Sequence, residues 1–333
     1  MTKCKKFIII TSIFYPTEAV QKFSRFKDWQ LVVVGDKKTP ANWYCDNVFF
    51  LTPESQQDLG YEITKLLPWN HYSRKMIGYL YAIENGAEII VDTDDDNIPL
   101  ENWEILSFKG EYRSMSSGGF FNIYSRFTRK FVWPRGYPLN RIIGKGDFTE
   151  KSKECNVGVW QFLANEDPDV DAIYRLTNNE PIYFENNDPV VLDKGTVCTF
   201  NSQNTAFRKD LFPLLYLPAF VTFRFTDILR SLVAQPILWQ HGYQLGFGKA
   251  TVIQKRNFHD YLKDFESEIP VYLQSERVFG IALDSIAGAS SVEVALKSVY
   301  LSLLKHGIVE KRELSLLNLW FADVEQIVGR KGQ

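Results

Sequence analysis

The chain has 333 residues, enough to bury a substantial core in one large or two modest domains. Hydrophobic residues make up 45% and charged residues 23%, and a net charge of −2 without a long basic block excludes nucleic acid as the main partner. The four cysteines, Cys4, Cys45, Cys155 and Cys198, form no C-x-x-C pair, so neither a zinc pattern nor a disulfide framework is expected and a reducing compartment is the default.

The β-branched run Phe7–Ile13 predicts a first strand, with Thr11 and Ser12 in the loop at its carboxyl end. Lys3-Cys4-Lys5-Lys6 before it faintly resembles a signal peptide, but the apolar run is short and meets Tyr15-Pro16 with no cleavage pattern. Ala19, Phe23 and Phe26 carry helical spacing over 18–28, and Gln30–Val34 is a second strand closed by Gly35-Asp36. This β-loop-α-β opening is a nucleotide-binding half by pattern. Asp36 is then either a plain turn residue or a hydrogen-bond partner for a ribose or base. Val48–Leu51 reads as a third strand, and 56–67 and 72–85 as helices, the second stopped by Asn85-Gly86. Arg74 and Lys75 sit in the first turn of that helix, where cations oppose the dipole, so a phosphate contact or a solvated pair is expected there.

The apolar run Ile89-Ile90-Val91 then feeds into Asp92, Asp94, Asp95 and Asp96. Ligands of open α/β sheets bind just beyond the carboxyl ends of the strands. Clustered carboxylates there repel one another unless a cation neutralises them, and their oxygens suit hard divalent ions such as Mn2+ and Mg2+. A metal–diphosphate site is the expectation, against a solvated acidic turn closed by Pro99.

Residues 108–160 read as loop-rich, with Arg135 held between Pro134 and Gly136 in a loop suited to a diphosphate or carboxylate. Asp167, Asp169 and Asp171 read as loop or capping residues in preference to a second metal cluster. Val197–Phe200 reads as a strand followed by a polar run in which Gln203 and Asn204 suit sugar hydroxyls. Asp227, near the start of a helix, is either an ordinary N-terminal acid or a cleft carboxylate acting as base. Residues 245–253 form a late strand or hairpin, His259 lies in the polar patch Lys255–Asp260, and 261–333 are mainly helical. No apolar stretch reaches ~18 residues, so no transmembrane helix is expected. The expected location is cytoplasmic or peripheral to a membrane.

Several stretches recur in order and together resemble the STELLO family of glycosyltransferase-like proteins. They are Val32–Pro40, Arg74-Lys75 with Gly78–Ala87, the Asp cluster, Trp133–Leu139, Asp167–Leu176, Asn201–Thr205, Phe225–Arg230 and Asn257–Asp260. The likeness covers roughly 7–275; the helices from about 276 onward carry none. A weaker likeness is to the reversibly glycosylated polypeptides, the UDP-arabinopyranose mutases. Both groups imply a GT-A glycosyltransferase fold, an α/β Rossmann-like mixed sheet flanked by helices. Residues 1–275 would be the catalytic domain, and 276–333 a helical extension and candidate surface for a homo-oligomer. The plant members are Golgi-anchored and associated with cellulose synthase; that anchor and partner are not carried over. The motif here, Asp92-Thr93-Asp94-Asp95-Asp96, also has one Asp more than the usual form.

The resemblance implies a metal-dependent transferase using a nucleotide-diphosphate sugar, a UDP-sugar being the commonest donor, with a glycan or lipid-linked glycan acceptor. Asp94 and Asp96 would hold Mn2+ or Mg2+, with His259 completing the site, and Asp95 would face the donor. Thr11, Ser12 and Asp36 would contact the nucleoside. Arg74, Lys75 and Arg135 would balance phosphate charge, and Gln203 and Asn204 would place sugar hydroxyls. Asp227 would be the base of an inverting displacement. The alternatives are a nucleotide-sugar mutase and a non-catalytic assembly subunit.

Overall fold

The structure is a computed structural model that describes residues 5–144, 146–178, 180–256 and 260–331. The first part of the chain alternates strand and helix: β1 (Lys6–Ser12), α1 (Glu18–Phe23), β2 (Gln30–Gly35), β3 (Val48–Leu51), α2 (Pro53–Asp58), α3 (Lys75–Glu84) and β4 (Ile89–Thr93). The strands are apolar along their whole length because both faces are covered, and Ile8, Ile9, Val32, Val33, Ile90 and Val91 are all fully buried. They run parallel in the order β3-β2-β1-β4, so Ser12, Gly35 and Thr93 end on one edge.

The sheet continues through β5 (Asn97–Pro99), β6 (Lys109–Ser116), β8 (Thr149–Glu166), β9 (Val190–Leu192), β11 (Asn204–Arg208) and β12 (Gln244–Gln254), and β7 (Gly119–Phe120) with β10 (Thr196–Val197) forms a separate pair. β11 lies antiparallel to β4, with Thr205 opposite Asp92, and β8 lies antiparallel to β11 and parallel to β12. Ten strands thus make one mixed sheet. Helices α4 (Ala172–Thr177), α5 (Thr226–Gln240), α6 (Tyr261–Ser285), α7 (Val292–Lys305) and α8 (Lys311–Lys331) complete the chain. No helix among the described residues is long and apolar enough to cross a membrane.

Several elements differ from expectation. The supposedly loop-rich 108–160 contains β6 and most of β8, paired from Lys109↔Asn156 to Ser116↔Thr149. The first third of β8, Thr149–Glu154, is largely solvent-facing and polar, so it carries no apolar alternation to read. The helix expected over 56–67 stops after Asp58, where Gly60 turns the chain at φ +70°, and only a 3-10 turn at Glu62–Lys65 follows. The helix expected at 18–28 ends at Phe23, and of the strand read at 197–200 only Val197 lies in a strand, β10, with β11 following at Asn204. Residues 245–253 belong to one continuous strand.

Two packing features place the functional edge. Gly78 of α3 lies so close to the sheet that an added Cβ would sit 2.6 Å from Ile9 Cγ2 and 2.9 Å from Val34 Cγ2. That close approach sets the start of α3 beside the carboxyl end of β4. The C-terminal helices share the main core: Val299, Leu303, Leu316 and Trp320 belong to the same apolar cluster as Ile9 and Ile90. The expected division between 275 and 276 falls inside α6.

Helix α8 is also pinned by two carboxylates. Asp323 accepts from the backbone N–H of Glu62 and Ile63, at 2.7 and 2.9 Å. Buried Glu313 accepts from the Tyr216 hydroxyl and from the N–H groups of Ala219 and Phe220. Glu313→Ala would leave the N–H groups of Ala219 and Phe220 without their acceptor, each a penalty of about 1–3 kcal/mol, while the Tyr216 hydroxyl keeps the residue 313 carbonyl. A loss of roughly 3 kcal/mol in urea unfolding is expected; a change below about 0.5 kcal/mol would show that this anchor does not hold the helix.

Candidate active site

The Asp cluster sits at the end of β4, as its sequence predicts, but the protein supplies much of the neutralising charge. Lys75, fully buried at the start of α3, donates to Asp92 Oδ1 at 2.8 Å, Asp94 Oδ1 at 2.6 Å and the Ser202 carbonyl at 3.3 Å. Arg230 of α5 donates to Asp92 Oδ2 at 2.9 Å. Asp92 is therefore an internal counterion, whereas Asp94, Asp95 and Asp96 face a cleft. Ser12 donates to Asp95 and Gln254 donates to Asp96. Burial, with the charge of neighbouring carboxylates, pushes Asp94 to about 6; burial chiefly does the same to Asp95 and raises Asp96.

The cleft is a cavity of about 230 Å3 whose walls include Gln203, Phe223, Arg224, Asp227, Gln254 and Arg256. A second cavity of about 200 Å3, reached past the ends of β1 and β2, is lined by Ser12, Phe14, Gly35, Asp36, Asn70 and His71. Thr11, Tyr72, Asp95 and Phe223 line both. Tyr72 packs on His71 and edge-on against Phe223, with ring centroids 5.4 and 4.7 Å apart. Burial lowers His71 to about 4, so the ring is neutral near pH 7.

Arg135 is the hub of the far wall. Gly136 (φ +88°) packs where a Cβ would sit 2.6 Å from Ile228 Cγ2, fixing the loop that carries the guanidinium. Arg135 bonds both oxygens of Asp169 at 2.8 Å and both oxygens of Asp227 at 2.9–3.0 Å. Asp227 Oδ2 also accepts from the Ser202 N–H at 3.1 Å. Burial alone would raise Asp227, but the charge and hydrogen bonds of Arg135 outweigh it and pull the carboxyl down to about 2.

These positions revise several expected roles. Arg74 is buried away from the cleft, 3.4 Å above the Trp69 ring and bonded to Gln56, and Lys75 is consumed by Asp92 and Asp94, so neither faces a phosphate. The protein's own carboxylates answer the charge that Lys75 sets against the helix dipole. Asp36 accepts from the N–H groups of Lys37 and Asn70, bracing two loops at the rim of the second cavity. Asn204 lies inside the sheet, bonded to Thr251, whereas Gln203 lines the cleft and is bonded to Gln254. Asp227 is a poor base in this setting, because both oxygens are occupied and its proton affinity is low. His259 lies outside the described residues. Asp167, Asp169 and Asp171 are counterions and a helix cap: Asp167 to Arg175 and Arg256, Asp169 to Arg135, and Asp171 at the start of α4.

The residues fit a divalent cation in part. Asp94, Asp95 and Asp96 offer hard oxygens, and Asp96 Oδ1 is buried with no hydrogen-bond partner. Among the described residues no three ligand side chains already converge on one point, so water or ligand oxygens would have to supply much of a coordination sphere. Tyr72, Phe223, Arg224, Gln254 and Arg256 line the cleft but were not singled out from sequence. Phe223 and Arg224 immediately precede the recognised Phe225–Arg230 stretch, and Arg256 lies beside Asn257–Asp260, so proximity to those motifs was the available signal.

A parallel Rossmann-like half ending on carboxylates, joined to a mixed half that closes a divided cleft, defines a GT-A-like fold. A family model for STELLO glycosyltransferases matches residues 224–330. The chain is 26% identical over 346 residues to the "Probable glycosyltransferase STELLO1" of Arabidopsis thaliana, an alignment covering 96% of this chain and 44% of that protein. It is 31% identical over 266 residues to the "Probable glycosyltransferase STELLO2" of the same plant, covering 72% of this chain and 34% of that one. The chain thus carries a STELLO glycosyltransferase domain over 224–330, and its likeness to these two plant proteins extends over most of its length. It spans less than half the length of these two relatives. The matched region runs from the end of the cleft wall through α8, so the helices beyond 276, which carried no recognised likeness, are part of the shared unit.

The Arg135–Asp227 pair gives a pH test. The folded-state value of Asp227, about 2, lies below the ordinary 3.8, so its stabilisation is complete above the unfolded value and is lost as pH falls through the folded one. Asp227→Asn is expected to cost about 2 kcal/mol in urea unfolding at pH 7, with roughly half of that difference left at pH 3. A difference that stays constant between those two pH values would refute this account of the pair.

Proposed function

We propose that this chain is a metal-dependent glycosyltransferase that moves a sugar from a nucleotide-diphosphate sugar to a glycan or other hydroxyl acceptor. One observation carries the reading: unsaturated carboxylates at the exit of a central parallel strand lie where two cavities meet. The smaller cavity has aromatic faces and backbone groups suited to a nucleoside, and the larger has the charged walls suited to a diphosphate and sugar.

Asp94 and Asp96 would hold Mn2+ or Mg2+, which when bound supplies positive charge to the departing diphosphate. The charge pattern supports this: four carboxylates, Asp92, Asp94, Asp95 and Asp96, face two buried cations hydrogen-bonded to them, Lys75 and Arg230. The protein's part is orientation. Lys75 fixes Asp94, Ser12 fixes Asp95, and Gln254, itself held by Gln203, fixes Asp96. Arg135, Asp169 and Asp227 keep the opposite wall rigid. With Asp227 assigned to holding Arg135, the inverting route expected from sequence loses its base, and the proposal does not depend on stereochemical outcome.

The test is a panel of sugar nucleotides, assayed for Mn2+-dependent binding by calorimetry and for hydrolysis or transfer. Wild-type protein is expected to bind at least one donor only when Mn2+ or Mg2+ is present. Asp96→Asn, near-isosteric but uncharged, should weaken that binding by at least about tenfold. Absence of metal-dependent binding across the panel, or an undiminished Asp96→Asn, would overturn the proposal. Conversion of a donor alone into an isomeric sugar nucleotide would replace it with the mutase reading.

A further inference from the structure

The cleft contains arginines of two kinds. Arg135 and Arg224 are committed to the protein: Arg135 to Asp169 and Asp227, and Arg224 to Glu268 at 2.7–2.8 Å. Arg256, at the end of β12, is different. Its side chain is only 7% exposed and lines the cleft. Its Nε lies 2.9 Å from Asp167 Oδ2, an ion pair not aligned as a hydrogen bond, and Asp167 is also taken by Arg175. Among the described residues neither Nε nor Nη1 of Arg256 has a hydrogen-bond partner, and both atoms are buried. A buried guanidinium left in this state is costly, and the cost is removed when an anion is bound. Burial and the nearby charge of Arg224 both act to lower the Arg256 pKa, the same electrostatic shortage seen from another side.

Its place along the cleft narrows the choice of anion. The backbone N–H of Lys255 donates to the carbonyl of Asp96 at 3.1 Å, and Gln254 pairs with Asn97 across β12 and β5. Arg256 is thus tethered beside Asp96, whose buried Oδ1 has no hydrogen-bond partner among the described residues. Arg256 lines the larger cavity and not the nucleoside-sized one, whereas Asp95 lines both. Asp95, shared by both cavities, and Arg256, found only in the larger, thus belong to one continuous lining with Asp94 and Asp96.

We infer that Arg256 is the binding residue for the distal phosphate of a nucleoside diphosphate, the phosphate that carries the sugar. The inference rests on the donor-binding reading above and goes beyond it by assigning one phosphate to one side chain. Its recognition chemistry is a guanidinium on phosphate oxygens, beside the carboxylates expected to hold the cation.

The test compares nucleoside diphosphates with their monophosphates. With Mn2+ present, UDP, GDP, CDP and ADP are titrated into wild-type protein by calorimetry, and the diphosphate bound best is paired with its own monophosphate. Arg256→Gln is expected to weaken diphosphate binding by roughly 10- to 100-fold and to leave monophosphate binding within about twofold. Arg256→Lys should recover part of the loss, since it restores charge without the planar pair of donors. Thermal unfolding of each variant checks that the fold is kept, and if Arg256→Gln is unstable the Lys variant carries the comparison. If wild-type protein binds none of the four diphosphates, the donor-binding reading falls and this assignment with it. If it binds one and Arg256→Gln binds that one equally well, only this assignment falls. Equal losses for mono- and diphosphate, or a loss confined to sugar nucleotides bearing an acidic sugar, would also overturn it.

Discussion

The contact on which the cleft depends is Lys75 held between Asp92 and Asp94. A lysine with no exposed surface is tolerable only when each of its three N–H bonds finds an acceptor, and here two carboxylates and the Ser202 carbonyl provide them. Burial disfavours the charged amine, and the two aspartates reverse that effect. The arrangement requires the first turn of α3 to lie beside the end of β4, which the missing side chain at Gly78 permits. Arg230 then approaches Asp92 from α5, so one carboxylate joins helices from distant parts of the chain. Asp92 is the shared member: removing it would strip Arg230 of its carboxylate and leave Lys75 with Asp94 alone, so the groups act as a unit.

The same reasoning separates architecture from recognition among the cations. Sequence alone ranks Arg74, Lys75 and Arg135 as candidate phosphate ligands. All three have their donors directed to protein acceptors: Arg74 to Gln56 and the Leu67 carbonyl, Lys75 to the aspartates, Arg135 to Asp169 and Asp227. They shape the cleft by holding its parts in register. Arg135 in particular ties the loop before Gly136 to the acidic loop before α4 and to the start of α5, three segments that otherwise share no strand pairing. A charged group can serve a ligand only to the extent that the protein leaves it unsatisfied, and Arg256 meets that condition where the others do not.

The parallel half of the fold was legible because its strands are doubly buried and therefore continuously apolar, and because Asp92–Asp96 stop the β4 run abruptly. The mixed half was less so. β8 begins with Thr-Glu-Lys-Ser-Lys-Glu, whose strand character comes from pairing with β6 and not from its own pattern. The motifs marked the right neighbourhoods: Arg135, Asp169, Gln203 and Asp227 do meet around one cleft. Their roles were not legible, because a carboxylate written as a base and an arginine written as a phosphate ligand can cancel each other. That outcome depends on the distance between residues 92 positions apart in the chain. The opposition of Lys75 to the helix dipole was a true signal of a nearby anion, with the anion's identity hidden in the fold.

The C-terminal helices belong to this argument as much as the Asp cluster does. Glu268 of α6 holds Arg224 with one oxygen and accepts from the N–H of Ala172 with the other, so α6 braces both the cleft wall and the start of α4. Glu313 of α8 fixes the 216–220 turn, from which the chain runs directly into Phe223 and Arg224. Phe223 lines both cavities, and Asp227 and Arg230 follow on α5. The cleft wall is therefore a segment stretched between anchors on α6 and α8, and it keeps its position only while those helices stay in the common core. That dependence gives a physical reason for a matched region that begins at Arg224 and runs on into α8: it holds Arg224 and Asp227 of the cleft wall together with Glu268 and Glu313, the carboxylates that anchor the wall.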